Sequence, residues 1–220
     1  AYGSTGQGTV TAVGNEAVMT NTDGYYLVGV GGGTLKLNTT GISNTALGYA
    51  ALTSNTTASY NTAVGHFSLK ANTTGAQSVA VGSFVLQANT TGVNNLAAGY
   101  AAGYGNTTGT SNVALGHSAL YNNTTASNNT AVGASALVTN TTGAYNTASG
   151  YSALYANTTG ASNTAFGALA GDALTTGSYN VAVGMHSLGT STTADSNVAV
   201  GYQTLFSTTT GTANVAMGRD

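Results

Sequence analysis

Residues Asn146 to Gly160 read Asn-Thr-Ala-Ser-Gly-Tyr-Ser-Ala-Leu-Tyr-Ala-Asn-Thr-Thr-Gly, and close variants of this phrase fill the chain. Its Gly150 belongs to a column: Gly14, Gly31, Gly48, Gly65, Gly82, Gly99, Gly116, Gly133, Gly150, Gly167, Gly184, Gly201 and Gly218 succeed one another every 17 residues without a slip. Ala stands two residues before each of them, with Gly29 as the single exception. Leu stands four residues after, at Leu35, Leu52, Leu69, Leu86, Leu120, Leu137, Leu154, Leu188 and Leu205; Val18 replaces it once, and Gly103 and Gly171 break the column. Asn-Thr-Thr recurs at Asn38, Asn55, Asn72, Asn89, Asn106, Asn123, Asn140 and Asn157. With 4% charged residues, 32 Gly and no Pro, Cys or Trp, composition alone would also fit a disordered chain. A repeat that keeps its phase from end to end excludes that reading.

Each unit is too short for a helical hairpin, and Asn-Thr-Thr-Gly would break a helix in every copy. Two short strands joined by turns fit instead, the first being x-Asn-Thr/Val-Ala-Val and the second the Ala-Leu stretch. The corner glycines and the Gly after Thr-Thr supply the positive φ of tight bends. The expected fold class is therefore all-β: a parallel β-solenoid of about 13 coils, with equivalent residues ~4.8 Å apart and a rod roughly 60 Å long. The array occupies residues 1–220 as one domain, slightly irregular over 1–37 and regular over 38–220, and reads as a segment of a longer fibre.

Side chains alternate faces along a strand. In Asn112–Leu115, and in its counterparts Asn180–Val183 and Asn197–Val200, Val113 and Leu115 share one face while Asn112 and Ala114 share the other. The expectation is that Val and Leu point inward. The near-constant Ala column would then point outward against another copy of the chain, its neighbouring Asn amides forming a ladder. A 17-residue coil encloses a thin core, so association would add burial, and three chains about an axis are one closed solution. The alternative is a lone solenoid whose Ala lines a narrow interior.

Charge and chemistry narrow the function. A net charge of -2 offers no footprint for nucleic acid, and no apolar run suggests membrane insertion. Glu16, Asp23, Asp172, Asp195 and Asp220 fall in different coils, so no acid pair is expected. His66 and His117 share one column but lie three coils, roughly 14 Å, apart, too far for one metal ion. No catalytic, cofactor or metal residues are expected, and no enzyme activity. Two surface columns remain. Tyr49, Tyr100, Tyr151 and Tyr202, with Tyr104, Tyr121, Tyr155 and Phe206 beside them, could meet glycans by ring-face contact, although Tyr is also a good half-exposed strand residue. The eight Asn-Thr-Thr sites match the N-glycosylation acceptor pattern, although turn chemistry explains them without modification.

The phrase Asn-Thr-Ala-x-Gly-Tyr-x-Ala-Leu-x-x-Asn-Thr-Thr-Gly resembles the tandem repeat of bacteriophage tail-fibre proteins and related bacterial surface fibres. Asn180–Gly184 and Asn197–Gly201, both Asn-Val-Ala-Val-Gly, are similar to the head repeat of YadA-like trimeric autotransporter adhesins. The resemblance covers Thr9 to Gly218 and implies a left-handed parallel β-roll, a homotrimer, an extracellular location and a role in attachment. The adhesin repeats are generally shorter than 17 residues, so the Asn-Thr-Thr-Gly arm favours the tail-fibre comparison. The expected function is a homotrimeric fibre shaft, with itself as partner and a cell-surface glycan or receptor as target. The alternative is a bacterial adhesin head binding host matrix or glycan. A more distant reading is an ice-binding solenoid displaying stacked Thr.

Overall fold

A computed structural model describes residues 8–219; residues 1–7 of the array and Asp220 lie outside the described residues. One parallel sheet of 13 strands runs the length of the molecule in strict chain order. Strands Val10–Val13 and Leu27–Val30 have four residues, and the rest, from Thr45–Leu47 to Val215–Met217, have three. Every pairing joins residues 17 apart, as in Val113 to Thr130, Ala114 to Ala131 and Leu115 to Val132. The chain is a β-solenoid of about 12 turns, each turn closed by the strand that begins the next.

Each coil has one strand, not two. The Ala-Leu stretch forms a turn in which the Leu backbone is left-handed, with φ of 52° at Leu52, 49° at Leu69 and 52° at Leu120. Left-handed backbone costs an L-residue about 1–2 kcal/mol. Two interactions offset it. The Leu side chains are fully enclosed, and burying a Leu gains about 1.5–3 kcal/mol. Their amides donate to the coil above as a strand would: Leu52 to Ser68 O at 3.1 Å, Leu69 to Val85 O at 3.0 Å, Leu120 to Ala136 O at 3.0 Å. Strand alternation was the wrong rule for this stretch because the chain must bend here to close a 17-residue loop.

The sheet also faces the other way from the sequence expectation. Ala46, Ala63, Ala80, Ala114, Ala131 and Ala182 are buried inside the coil, while Val and Leu on either side of them point out. Leu47 is 46% exposed and Val81 42% exposed. The lone-solenoid alternative described the Ala column correctly. The physical reason is volume. The lumen is already filled by the Leu of the turn, so only a methyl group fits opposite it on the strand. Where the Leu column fails, neighbours compensate. Leu86 leans toward Gly103, its Cδ2 lying 2.8 Å from where a Cβ would sit. Leu174, three residues after Gly171, enters the lumen in the coil where Gly171 replaces Leu.

The corner glycines are required twice over. Gly150 has φ +146°, and a Cβ there would lie 2.3 Å from the carbonyl oxygen of Gly167 in the next coil. Successive corners pass too closely for any side chain. Gly150→Ala is therefore expected to lower the denaturation midpoint, and Ala114→Leu to cost about 1–3 kcal/mol by overpacking the lumen. Circular dichroism during urea titration checks both; an unchanged midpoint for Ala114→Leu would contradict the inward placement of Ala.

Candidate binding surfaces

Two amide ladders hold the interior. In the first, each Asn of Asn-Thr-Thr donates Nδ2 to the Asn Oδ1 one coil below and to the carbonyl three residues ahead: Asn123 to Asn106 Oδ1 at 2.8 Å and to Ala126 O at 3.0 Å, Asn140 to Asn123 Oδ1 at 2.9 Å. In the second, Asn112 Oδ1 accepts from the backbone N–H of Asn129 at 3.0 Å, and Asn112 Nδ2 donates to Ala126 O at 2.9 Å. These are buried groups that would each be costly unpaired, and the stacking pairs them. The consequence for glycosylation is direct. Asn38, Asn55, Asn72, Asn89, Asn106, Asn123, Asn140 and Asn157 are all buried, and the nitrogen that would carry a sugar is already committed inside the wall. In the folded rod these side chains are bonded into the wall beside the Thr-Thr turn.

The first ladder stops at one place. The next coil supplies Leu174 instead of Asn, and Asn157 Oδ1 is left buried without a partner. The Thr following each Asn extends the stacking outward, its hydroxyl donating to the next coil's carbonyl, as in Thr39 to Thr56 O at 3.0 Å and Thr107 to Thr124 O at 2.9 Å. The second Thr of each pair is exposed, but it sits in a turn rather than on the sheet.

The aromatic residues form a connected surface feature. Tyr49, Tyr100 and Tyr151 are exposed, and Tyr202 lies under the Arg219 guanidinium at 5.5 Å. Tyr49 stacks on His66 with centroids 5.6 Å apart, His66 meets Phe84 edge-on at 5.1 Å, Phe84 meets Tyr100 at 5.6 Å, and Tyr100 stacks on His117 at 5.4 Å. Phe67 packs against the same series, with the Lys70 ammonium 4.2 Å above its ring. His66 is thus a member of an aromatic stack and not a freely solvated side chain, whereas His117 is exposed. Sequence reasoning missed Phe67 and Phe84, which sit one position beyond the Tyr column. A second exposed column, Tyr26, Tyr60, Tyr145 and Tyr179, was also missed. Its signal was present: these Tyr recur in one phase of the 17-residue period.

The outward sheet face is a ribbon mostly of Val, Leu and Thr, with Phe166 and Met217, and with Ala98 and Ser149 in two coils, running along the stack without a charged residue. The charged groups lie elsewhere. Glu16 pairs with Lys36 at 2.8 Å, and Asp195 accepts from the Ser178 amide at 2.6 Å. Asp172, beside Gly171, has a buried Oδ1 without a partner; burial pushes its carboxyl above the usual aspartate range, and the nearby His186 charge draws it partly back. Among the described residues no group of three or more His, Cys, Asp or Glu gathers as a metal site, and no helix is long and apolar enough to cross a membrane. Clefts of about 500 and 300 Å³ lie at the last and first coils, where the lumen opens. A smaller one lies among the aromatic rings. No family model, curated protein or solved structure matches the chain.

Replacing Asn123 with Ala is expected to destabilise more than replacing Asn157, by about 1 kcal/mol, because Asn123 makes one further ladder bond than a residue whose Oδ1 is already unpaired. Equal shifts in urea midpoint would count against the ladder. A carboxyl raised in the folded state contributes stability that is present below its unfolded titration and is lost as pH rises through the folded value. The wild type should therefore gain stability relative to Asp172→Asn as pH falls from about 7 to about 3; parallel midpoint measurements across that range check the sign.

Proposed function

We propose that the chain is a shaft segment of a homotrimeric extracellular fibre, of the kind carried by phage tails or bacterial surfaces, that serves attachment. The observation that carries this reading is the uncharged Val/Leu/Thr ribbon on the outer sheet face. About 13 rungs at ~4.8 Å and a width of about 10 Å give roughly 600 Å², at the upper end of what a monomer leaves bare. A parallel bundle in which every ribbon faces a common axis would cover it, and a cyclic arrangement closes. Covering this face does for Val and Leu what the sequence expectation had assigned to Ala. The left-handed coil sense and the choice of three chains rest on the resemblance to tail-fibre and adhesin repeats. A narrow lumen filled by Ala, Leu and Asn, and a surface hydrated by amides and hydroxyls, suit a spacer.

The connected aromatic series favours a second reading in which the flank of the rod itself binds, as in an adhesin head. The two are compatible in one fibre.

Sedimentation equilibrium tests the assembly. The expected particle is three times the 21.5 kDa chain mass. Val181→Lys with Val198→Lys places two ammonium groups on the ribbon and none in the lumen. This variant should become monomeric while keeping its β-sheet circular dichroism. A wild-type particle of one chain mass at micromolar concentration would overturn the proposal, and a dimer would overturn the three-fold arrangement.

A further inference from the structure

The cleft of about 210 Å³ on the flank of the rod is lined by Phe84, Tyr100, Ala101, Tyr104 and Tyr121. Its shape follows from two columns that change occupant in adjacent coils. Two residues after the corner Gly, Phe67 and Phe84 give way to Ala101, so the wall of rings steps down by one side chain and Ala101 becomes the floor. Five residues after the corner, Gln87 gives way to Tyr104 and then Tyr121, which raises a wall on the far side. Tyr104 and Tyr121 are nearly parallel, with centroids 5.0 Å apart and an interplanar angle of 5°. Phe84 and Tyr100 close the near side at 73° to each other, with His117 stacked behind Tyr100. The result is a trough of ring faces and edges to which Tyr100, Tyr104 and Tyr121 bring three phenol groups.

Charge decides what such a trough accepts. No Asp, Glu, Lys or Arg occurs between Lys70 and Asp172. A phosphate, sulfate or carboxylate would lose its hydration there and gain no cation, and an ammonium would find ring faces but no carboxylate to neutralise it. The complementary ligand is neutral, with a flat C–H face for the rings and a rim of hydroxyls for the phenols. A pyranose whose ring substituents are all equatorial has that form, because its axial C–H bonds make both faces apolar. We propose that this cleft is a lateral subsite for a neutral, β-linked, all-equatorial glycan. The proposal deepens the attachment reading and rests on it for its biological purpose. Its geometry does not depend on how many chains assemble.

Native affinity electrophoresis through gels containing hydroxyethylcellulose, with α-mannan gels as the stereochemical control, tests it. Wild-type chain should be retarded by the first and not by the second. Tyr104→Thr with Tyr121→Thr should weaken retardation by about tenfold in apparent dissociation constant or more. Thr53 occupies that column in another coil, so the rod tolerates the change. Ala101→Phe should fill the floor and also abolish retardation, since Phe67 and Phe84 show that the column accepts Phe. Tyr179→Ser, outside the cleft and in a column that Ser111 occupies in another coil, should migrate as wild type. Unretarded wild type, full retardation of either cleft variant, or equal retardation by α-mannan would overturn the proposal. Sedimentation of the same samples distinguishes these results from a failure of assembly.

Discussion

The structure depends on the transfer of backbone hydrogen bonds from each coil to the next, in the turns as well as in the strands. Gly116 donates down to Ala98 O at 2.8 Å, while Val113 and Leu120 donate up to Asn129 O and Ala136 O at 2.8 and 3.0 Å. A coil has too little interior to satisfy its own amides and carbonyls, and so it borrows its neighbours. Every other feature follows from keeping adjacent coils superimposable. Corners must be Gly because successive backbones nearly touch. Lumen positions are mostly Ala, Leu or Asn because those are the volumes and hydrogen-bonding groups that stack on their own copies. Polar side chains join the same arrangement: an Asn above an Asn is both donor and acceptor, so a buried amide column satisfies itself.

The period, the parallel register and the glycine corners were legible in the sequence because they are properties of spacing. The direction in which the strand faces was not. Alternation separates Ala114 from Val113 and Leu115 without saying which set lies inside, and larger apolar residues were assigned to the interior on the ordinary expectation for a half-buried sheet. That expectation fails when a turn Leu fills a narrow lumen from the opposite side. The second strand was misread for a related reason. A left-handed Leu is strained in isolation, and only its burial and its bond to the next coil make it acceptable, neither of which a single repeat displays.

The surface was partly legible. The Tyr column at Tyr49, Tyr100, Tyr151 and Tyr202 could be read from phase, but its connection through Phe84 and His66 depends on ring orientations between coils. The cleft beside Tyr104 and Tyr121 arises from departures, where Ala101 follows Phe84 and Tyr104 follows Gln87, and a search for regularity passes over such steps. The Asn-Thr-Thr sites show the reverse case. A short pattern matched a modification signal, while its position in the coil placed the same nitrogen inside a hydrogen-bonded column.

The stop at Leu174 reduces the interior amide columns from two to one. From Asn21 to Asn157 each Asn of the first ladder bonds its copy in the next coil; between Asn157 and Leu174 that bond is absent, and the side-chain connection is left to the second ladder, where Asn180 donates to Asn163 Oδ1, and to the Thr158 hydroxyl on Thr175 O. In a molecule whose coils interact only with their neighbours, such a junction is the place where the lateral bonding is thinner. A rod pulled along its length is held there by one amide column where the coils before it are held by two.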